Sequence, residues 1–544
     1  MKLSRKLKLY FHTLRHLKFN QISGRVIAQT KKRFGLIRLP PVPETQNSGI
    51  RPATSFIKHD PWNSEEQMLS GNFCFLNDPR DTGFPPEWHS DDVPLLWQFN
   101  LHYFHYLHLL KNEKKHELCL HWIHNNEPGS DPGWMPYPLS LRIVNWIKEG
   151  VHEKTVVNSL YVQASYLYRT IEYYYSGNHL LENARALLFA GVYFGGTGEA
   201  EKWIKTGLKI YKEELPMQVL PDGGCYERSP MYHALILEGI LDIMNILRKD
   251  HEYRDFFKGY AERMLGFLAS ATHPDGTISL FNDATEEIAP PTRKIIEYGN
   301  KIIGYKPKIP STFKDTGYYI YRDKDIYCII DGGPVGPDHL PAHAHADIFS
   351  YELSVNGTKA IVDTGVYEYQ QGEMRQYVRS TPAHNTVCID DTDQVECWDS
   401  FRVARRYKPF DVSYREEDGC KVFKGSYAGY SKLIGDGIIH HRIISIDSSN
   451  KQIKVIDKIE GKNKHKVQSY IHIHPDFRIN PGSGYISVTN NKTKFRIILQ
   501  STESFRIERG WYCPRFGIKL ENYVIVLGGV RQLPTDISYI VDYY

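Results

Sequence analysis

The chain has 544 residues, 41% apolar and 24% charged, and this length allows three to four domains at roughly 150 residues each. Its 67 Lys and Arg nearly balance 63 Asp and Glu. This balance argues against a protein that coats nucleic acid, so we expect no nucleic-acid partner. The eight Cys include no C-x-x-C pair, which argues against a disulfide scaffold and a Cys-rich zinc module. No run of 18 apolar residues occurs, so no membrane-spanning helix is predicted.

Residues 1–45 are predicted to be a basic amphipathic segment. Eleven Lys and Arg precede Glu44, and no acidic residue does. Apolar residues at three- and four-residue intervals predict a helix; they are Leu3, Leu7, Tyr10, Phe11, Leu14 and Leu17. Two interpretations stay open for residues 1–33: contact with an anionic membrane or polymer, or packing on the body as a solvated helix. A polar, Pro-containing connector is predicted over residues 46–90.

The rest of the chain divides by its hydrophobic period. Helical spacing between residues 91 and 312 predicts consecutive helical hairpins, and thus a helical toroid or solenoid; the segments are 140–148, 156–176, 180–194, 199–213, 231–249 and 253–270. Between residues 313 and 544 the period is two, which predicts an antiparallel sandwich; examples are 327–331, 351–355, 359–362, 385–389, 442–446, 452–456, 467–473, 495–499 and 523–527. The predicted fold is therefore α+β and multidomain, with a functional site where the halves meet.

Two polar clusters lie in the helical half. In the first, Glu182 follows His179 by three residues at a predicted helix start, and Asn178 flanks the turn. This pattern also fits a capped helix with a buried polar face. In the second, a Gly-rich turn leads into a helix start that carries Arg228 and Tyr232. This pattern is compatible with side chains that line a binding cleft and equally with a surface turn before a capped helix.

The third cluster lies in the sandwich half. His343 and His345 form a His-x-His pair, and alternate residues of an extended segment project to one face. Together with Asp363 and His384, imidazole and carboxylate groups from separate strands form a credible metal set. Phosphate-loop, H-E-x-x-H and G-x-S-x-G motifs are absent, which argues against a nucleotide enzyme, a zincin and an α/β hydrolase.

At these residues the chain resembles the bacterial heparinase II/III-like polysaccharide lyases. The similar stretches occur in order between about residues 90 and 475; they are WQFNLHYFHYL, WMPYPLSLRIVNWI, GNHLLENARAL, DGGCYERSPMYH, HAHAD, VDTGVYEYQQGEMRQYVRSTPAHNTVCID and YIHIHP. The resemblance implies an N-terminal (α/α) toroid followed by an antiparallel β-sandwich, in agreement with the periodicity. The helical half looks shorter than a toroid of six hairpins, so the toroid is expected to be incomplete.

The resemblance also implies the chemistry. Family members cleave acidic, uronic-acid-containing polysaccharides by β-elimination, in which the C5 proton is removed and the O4 bond breaks. The positions that match the family's catalytic groups are Asn178 and His179 for carboxylate neutralisation, Tyr232 and His343 as acid and base in either order, and Tyr369 as a second active-site tyrosine. Expected substrate contacts are Glu182, Arg228, Tyr137, Trp134, Arg375 and Arg379. His345, Asp363 and His384 match positions that bind a structural zinc in some relatives, and no organic cofactor is implied.

Two further expectations concern location and alternatives. Without a recognisable signal peptide, we expect a cytoplasmic protein or one peripheral on the inner membrane, with the periplasm as the alternative. The substrate would then be a bacterial capsule or exopolysaccharide. Other activities left open are a uronate C5-epimerase, a glycoside hydrolase using Glu182, Glu227 or Asp222, and a non-catalytic glycan-binding or assembly protein.

Overall fold

The computed structural model describes residues 3–42, 49–304, 306–500 and 503–544. The amphipathic N-terminal segment forms two helices, α1 Leu3–Leu14 and α2 Phe19–Arg33, where the sequence predicted one. Both helices pack on the body: the ring of Tyr10 lies 4.9 Å from that of Trp398, and Gln21 Nε2 donates to the carbonyl of His339 at 3.1 Å. The outward faces stay exposed, with Phe19 85% accessible.

The segment predicted to be a connector is partly folded. It contains α3 Glu65–Leu69 and an antiparallel hairpin of β1 Asn72–Phe75 and β2 Asp78–Asp81. Phe73 and Phe75 of this hairpin are buried, and the Phe75 ring lies 5.0 Å from that of Trp97. Alternate apolar residues on one short strand therefore join this segment to the helical core.

The helical half consists of packed helices connected by loops of different lengths, the longest of them residues 271–291. The helices are α4 Leu95–Tyr103, α5 Asn112–Asn125, α6 Pro136–Lys148, α7 Lys154–Thr170, α8 Gly177–Tyr193, α9 Gly198–Gln218, α10 Pro230–Ile246, α11 Arg254–Ser270 and α12 Thr292–Ile303, with a 3₁₀ turn at His105–Leu109. Each predicted helical segment coincides with one of them. The segment predicted as 156–176 ends earlier, at Thr170, because the backbone turns before α8 with positive φ at Ser176 and Gly177.

The second half is an antiparallel β-sandwich, as predicted. Its strands are β3 Thr312–Phe313, β4 Tyr318–Arg322, β5 Ile326–Asp331, β6 Tyr351–Val355, β7 Thr358–Ile361, β8 Val387–Ile389, β9 Cys397–Trp398, β10 Arg402–Val403, β11 Phe410–Glu417, β12 Cys420–Tyr427, β13 Ile439–Asp447, β14 Gln452–Glu460, β15 Lys464–Ile473, β16 Arg478–Pro481, β17 Tyr485–Thr489, β18 Lys494–Leu499, β19 Phe505–Arg515, β20 Ile518–Gln532 and β21 Thr535–Tyr543. Two short helices interrupt them, α13 Glu373–Val378 and α14 Gly429–Leu433.

The strands form two large sheets in the described residues. One has the order β11-β12-β13-β14-β21-β18-β17-β16. The other has the order β19-β20-β15-β7-β6-β5-β4-β3, with β8 paired to β15. Strands such as β14 alternate buried and half-exposed side chains, so one face of each sheet contributes to the shared core between them.

Buried polar contacts fix the two halves against each other. His273, just after α11, bonds to Glu352 of β6 at 2.6 Å and to Ser354 Oγ at 2.8 Å. Lys359 of β7 donates to the carbonyl of Ile278 at 3.1 Å. A site built from both halves is therefore held in a defined geometry. Over the ranges described, no helix has the length and apolarity needed to cross a bilayer.

Candidate functional site

A cavity of about 1110 Å³ lies where the helical half, the sandwich and the N-terminal helices meet. Of the residues selected from the sequence, those lining it are Tyr137, Asn178, His179, Glu182, Tyr232, His343 and Tyr369. They come from α6, α8, α10 and two loops of the sandwich half. The position agrees with the prediction of a site between the two halves.

The start of α8 presents Asn178 and His179 to the cavity. Gly177 adopts φ +62°, and a Cβ there would lie 2.7 Å from Leu340 Cδ2, so only glycine fits this turn. His179 stacks on Tyr137 with ring centroids 4.3 Å apart, and its Nδ1 lies 3.1 Å from Glu172 Oε2. Asn178 and His179 are therefore aimed at the same space as amide and imidazole hydrogen-bonding groups.

The start of α10 positions Tyr232. Ser229 caps the helix by accepting a hydrogen bond from the Tyr232 amide, and Pro230 occupies the first turn. The Tyr232 ring lies 4.1 Å from the ring of His343, and its hydroxyl lies 3.0 Å from the hydroxyl of Tyr369. Three groups capable of proton transfer, contributed by both halves, thus form one contiguous cluster.

Asp283, in the loop between α11 and α12, connects His343 of this cluster to His345 and Arg375. Its carboxylate bonds to His343 Nδ1 at 2.9 Å and to His345 Nε2 at 2.9 Å, and Arg375 Nη2 donates to it at 2.8 Å. Burial alone would raise the pKa of Asp283, but the Arg375 charge and these hydrogen bonds hold that pKa well below its usual range. An ionised Asp283 accepts from Nδ1 of His343 and leaves Nε2 as the reactive nitrogen.

Burial controls the protonation of the remaining groups. It raises the pKa of Tyr232 well above the usual value, and the nearby Tyr369 and Asp283 add to the effect. Burial likewise raises the pKa of Tyr369. It also raises the pKa of Glu227, whose Oε2 lies 3.5 Å from His343 Nε2. Both tyrosines are therefore protonated and suited to donating a proton.

Four residues predicted to contact substrate do not line the cavity. Trp134 is buried in the helical core and donates to the carbonyl of Asn126, and the Arg228 guanidinium donates to the carbonyls of Thr316 and Tyr226. Arg375 binds Asp283, and Arg379 donates to the carbonyls of Ala344, Asp399 and Ser400. The structure therefore does not bring these four side chains together with the other predicted substrate contacts, and their polar groups are bonded inside the protein.

Glu182, an expected substrate contact, lines the cavity but is paired with an arginine. Arg185 lies 3.1 Å from its carboxylate and also binds Asp242, so Glu182 belongs to a buried ion network. Asp283 is not among the site residues predicted from the sequence. Its only local signal was the polar pair Asn282-Asp283 after an apolar run, which is equally typical of a turn.

The predicted metal residues are close together but not assembled around an ion. The rings of His345 and His384 lie 5.4 Å apart, and His384 Nδ1 bonds to Asp363 Oδ2 at 2.8 Å. Nδ1 of His345 and Nε2 of His384 are buried without a hydrogen-bond partner. These donor types fit zinc, although within the described ranges no three His, Cys, Asp or Glu side chains are grouped closely enough to hold an ion.

Comparisons with known proteins agree with this architecture. The profile described as "Heparinase II/III N-terminus" matches residues 152–301, and the one described as "Heparinase II/III-like, C-terminal" matches residues 306–539. A curated heparin-sulfate lyase of Bacteroides stercoris is 26% identical over 362 residues, which is 61% of this chain and 49% of that protein. One from Pedobacter heparinus is 28% identical over 267 residues, 44% of this chain and 40% of that protein. The chain therefore matches half or less of the length of these relatives.

Solved structures show the same fold. A crystal structure of heparinase III has a TM-score of 0.69 and 17% identity, covering 98% of this chain and 92% of that one. A heparan sulfate lyase from Pedobacter heparinus has a TM-score of 0.59 and 19% identity, covering 96% and 88%. At these identities the likeness extends to the fold, which is a helical toroid followed by a sandwich.

Proposed function

The chain belongs to the heparinase II/III-like family, and we propose that it is a polysaccharide lyase that cleaves a uronic-acid-containing glycan by β-elimination. The observation that carries this proposal is the cluster of Tyr232, His343 and Tyr369 in a cavity that also contains Asn178 and His179. Elimination needs these functions together: a group that neutralises the substrate carboxylate, a base at C5 and an acid at O4.

In the proposed mechanism, Asn178 and His179 bind the substrate carboxylate. The C5 proton becomes acidic enough to remove only when the enolate-like charge that develops on this carboxylate is stabilised. The Asn178 amide donates to that charge. Because Nδ1 of His179 is bonded to Glu172, Nε2 is the ring nitrogen left to contact this charge.

His343 is the proposed base and Tyr232 the proposed acid. This assignment is supported by Asp283, which accepts from Nδ1 of His343 and keeps the Nε2 lone pair available for C5. The imidazolium that forms would be stabilised by Asp283 and by the nearby Glu227. Tyr232, whose pKa burial raises, keeps its proton until the O4 leaving group needs it. Tyr369 would hold the Tyr232 hydroxyl in place.

A hydrolase is less well supported by the carboxylates available. Asp222 accepts hydrogen bonds from the backbone of Asp315 and Thr316 at 2.7 and 2.8 Å, and Glu182 is paired with Arg185. Glu227 lines the cavity 3.5 Å from His343 Nε2, so neither Glu182 nor Glu227 is an unpaired carboxylate, whereas a hydrolase needs two carboxylates across the bond. A C5-epimerase would use the same residues as a lyase.

Reaction in deuterated water, followed by NMR of the polymer, distinguishes these activities. A lyase yields chains with a C4–C5 double bond at the new non-reducing end. Deuterium at C5 in uncleaved polymer would indicate an epimerase, and saturated ends on shortened chains would indicate a hydrolase. Either of these results would replace the proposal. Intact, unexchanged polymers across capsule and exopolysaccharide preparations that the protein nevertheless binds would favour a glycan-binding role.

We also propose a structural zinc at His345, Asp363 and His384, which would tie the His343 loop to the sandwich. Support comes from the two free, buried imidazole nitrogens. Purified protein should contain about one zinc per chain by mass spectrometry, and chelation should lower its Tm. The matched control is His440→Ala, which removes a buried imidazole bonded to Asp457 in the sandwich and should retain the metal. Retention of zinc by His384→Ala would contradict this proposal.

A last proposal is that the outward face of α1 and α2 contacts an anionic membrane. Support comes from the basic character of residues 1–33 and from exposed Phe11, Phe19 and Phe34, accessible to 64%, 85% and 68%. Phe19→Ser should weaken binding to phosphatidylglycerol vesicles roughly tenfold. Val530, also strongly exposed but on the sandwich at 72%, is the control, and Val530→Ser should not weaken binding. Equal binding to vesicles of phosphatidylcholine alone, or no binding, would contradict this proposal.

A further inference from the structure

We propose that Arg25 of α2 binds a further substrate carboxylate, beside the one that Asn178 and His179 neutralise, and that the cavity takes a uronate polymer without sulfate groups. The inference rests on the proposed lyase function. It adds an N-terminal helix to the substrate site, and it specifies the charge density of the substrate.

The first observation is that α2 is fixed at the cavity by its inner face. Gln21 is buried and bonded to the carbonyl of His339 at 3.1 Å. One turn on, Gly24 lies so close to Tyr174 that an added Cβ would be 3.0 Å from the tyrosine Cβ. Arg25 is the next residue, and it lines the cavity. The packing of Gln21 and Gly24 therefore fixes the backbone at Arg25, whose exposed side chain lies at the cavity.

The second observation is the continuity between Arg25 and the groups proposed to neutralise the substrate. The Arg25 guanidinium carbon lies 5.3 Å from the ring centroid of Tyr175. The Tyr175 ring is 5.1 Å from that of His179, which stacks in turn on Tyr137 at 4.3 Å. This row of contacting rings leads from the Arg25 cation to His179, so a sugar chain bound along it would place one acidic group at His179 and another at the arginine.

The third observation concerns charge. Five Lys and Arg side chains line the cavity, against eight Asp and Glu. Four of the five cations lie near carboxylates: Lys58 at 3.5 Å from Glu149, Lys148 at 2.6 Å from Asp242, Arg185 at 3.1 Å from Glu182 and Arg402 at 3.7 Å from Asp399. Among the residues the structure describes, Arg25 is the cavity cation without a carboxylate partner.

The excess of acidic over basic side chains limits which substrate the cavity can bind. One unpaired arginine can bind one carboxylate with two parallel hydrogen bonds. A densely sulfated chain would bring several further negative charges into a cavity that already has more acidic than basic side chains, and like charges at close range oppose binding. A polymer whose only charge is one carboxylate per uronic acid brings fewer negative charges into the cavity and meets less of this repulsion.

The test measures binding and turnover separately. Calorimetry on the Tyr232→Phe background compares one uronate polymer before and after chemical O-sulfation, so that binding is measured even if no polymer is cleaved. The unsulfated form should bind more tightly, and Arg25→Gln should weaken its binding about 10- to 100-fold. Arg25→Lys should fall between, because lysine keeps the charge without the paired geometry.

Lys31→Gln is the matched control, since it removes an exposed cation from the same helix away from the cavity. In the otherwise unchanged protein, Arg25→Gln should raise KM with little change in kcat and in Tm. Tighter binding of the sulfated polymer, or equal binding by Arg25→Gln and Lys31→Gln, would overturn the inference. Binding as predicted but without cleavage would leave this inference standing and count against the lyase.

Discussion

Tyr232→Phe is expected to lower kcat by about 10³-fold or more while leaving the fold intact. The substitution removes one oxygen atom, and with it the proton donor proposed for O4. The ring still packs 4.1 Å from His343, so the shape of the cavity is retained. Tyr369 loses its partner at 3.0 Å, a loss worth about 1 kcal/mol of stability.

Tyr351→Phe is the control for this experiment. Tyr351 and Tyr539 form a similar buried pair in the sandwich, with hydroxyls 2.9 Å apart and no place at the cavity. The two variants should lose similar stability in urea titration, yet only Tyr232→Phe should lose turnover. Comparable kcat values for both would show that the Tyr232 hydroxyl has no part in the reaction.

The second large effect is expected for Asp283→Asn, which should reduce both turnover and stability. An asparagine cannot compensate the buried Arg375 charge, and breaking such a pair costs about 3–5 kcal/mol. It also no longer holds the Nδ1 proton of His343, so the free lone pair is not kept on Nε2. The loss in kcat should be on the order of 10²–10⁴.

Asp457→Asn is the control that separates the loss of stability from the loss of turnover. Asp457 is buried between Arg442 and His440, at 2.7 and 2.8 Å, in the same kind of cluster but within the sandwich. Denaturant unfolding should show a similar loss of stability for both variants, with kcat per folded molecule unchanged in Asp457→Asn. If Asp283→Asn keeps full turnover at a temperature where it is folded, Asp283 has only a structural role.

The helices and strands could be predicted because their pattern is local. Apolar residues at helical spacing in 231–249 and alternation in 452–456 directly indicate α10 and β14. The break between α1 and α2 was missed because apolar residues continue through it. The hairpin of β1 Asn72–Phe75 and β2 Asp78–Asp81 was missed because two strands of four residues each give almost no periodic signal.

Tyr232 and His343, which the sequence selected from their own motifs, are brought together at the cavity. The site was not predicted where a role depends on distant partners. Asp283 binds the side chains of His343 and Arg375, which lie 60 and 92 residues later in the chain. The Arg228 guanidinium donates its hydrogen bonds to backbone carbonyls 87 and 88 residues away. An arginine in a motif is compatible with substrate or with backbone carbonyls, and only the fold decides between them.

The measurement that tests the central claim most directly is ultraviolet absorbance during incubation with unsulfated uronic-acid polymers, including bacterial capsule and exopolysaccharide. The account predicts a steady rise from the conjugated C4–C5 double bond with the wild-type protein and with Tyr351→Phe, and a flat trace with Tyr232→Phe. Cleavage of these polymers into shorter chains without any rise in absorbance, or an equal rise with Tyr232→Phe, would contradict it.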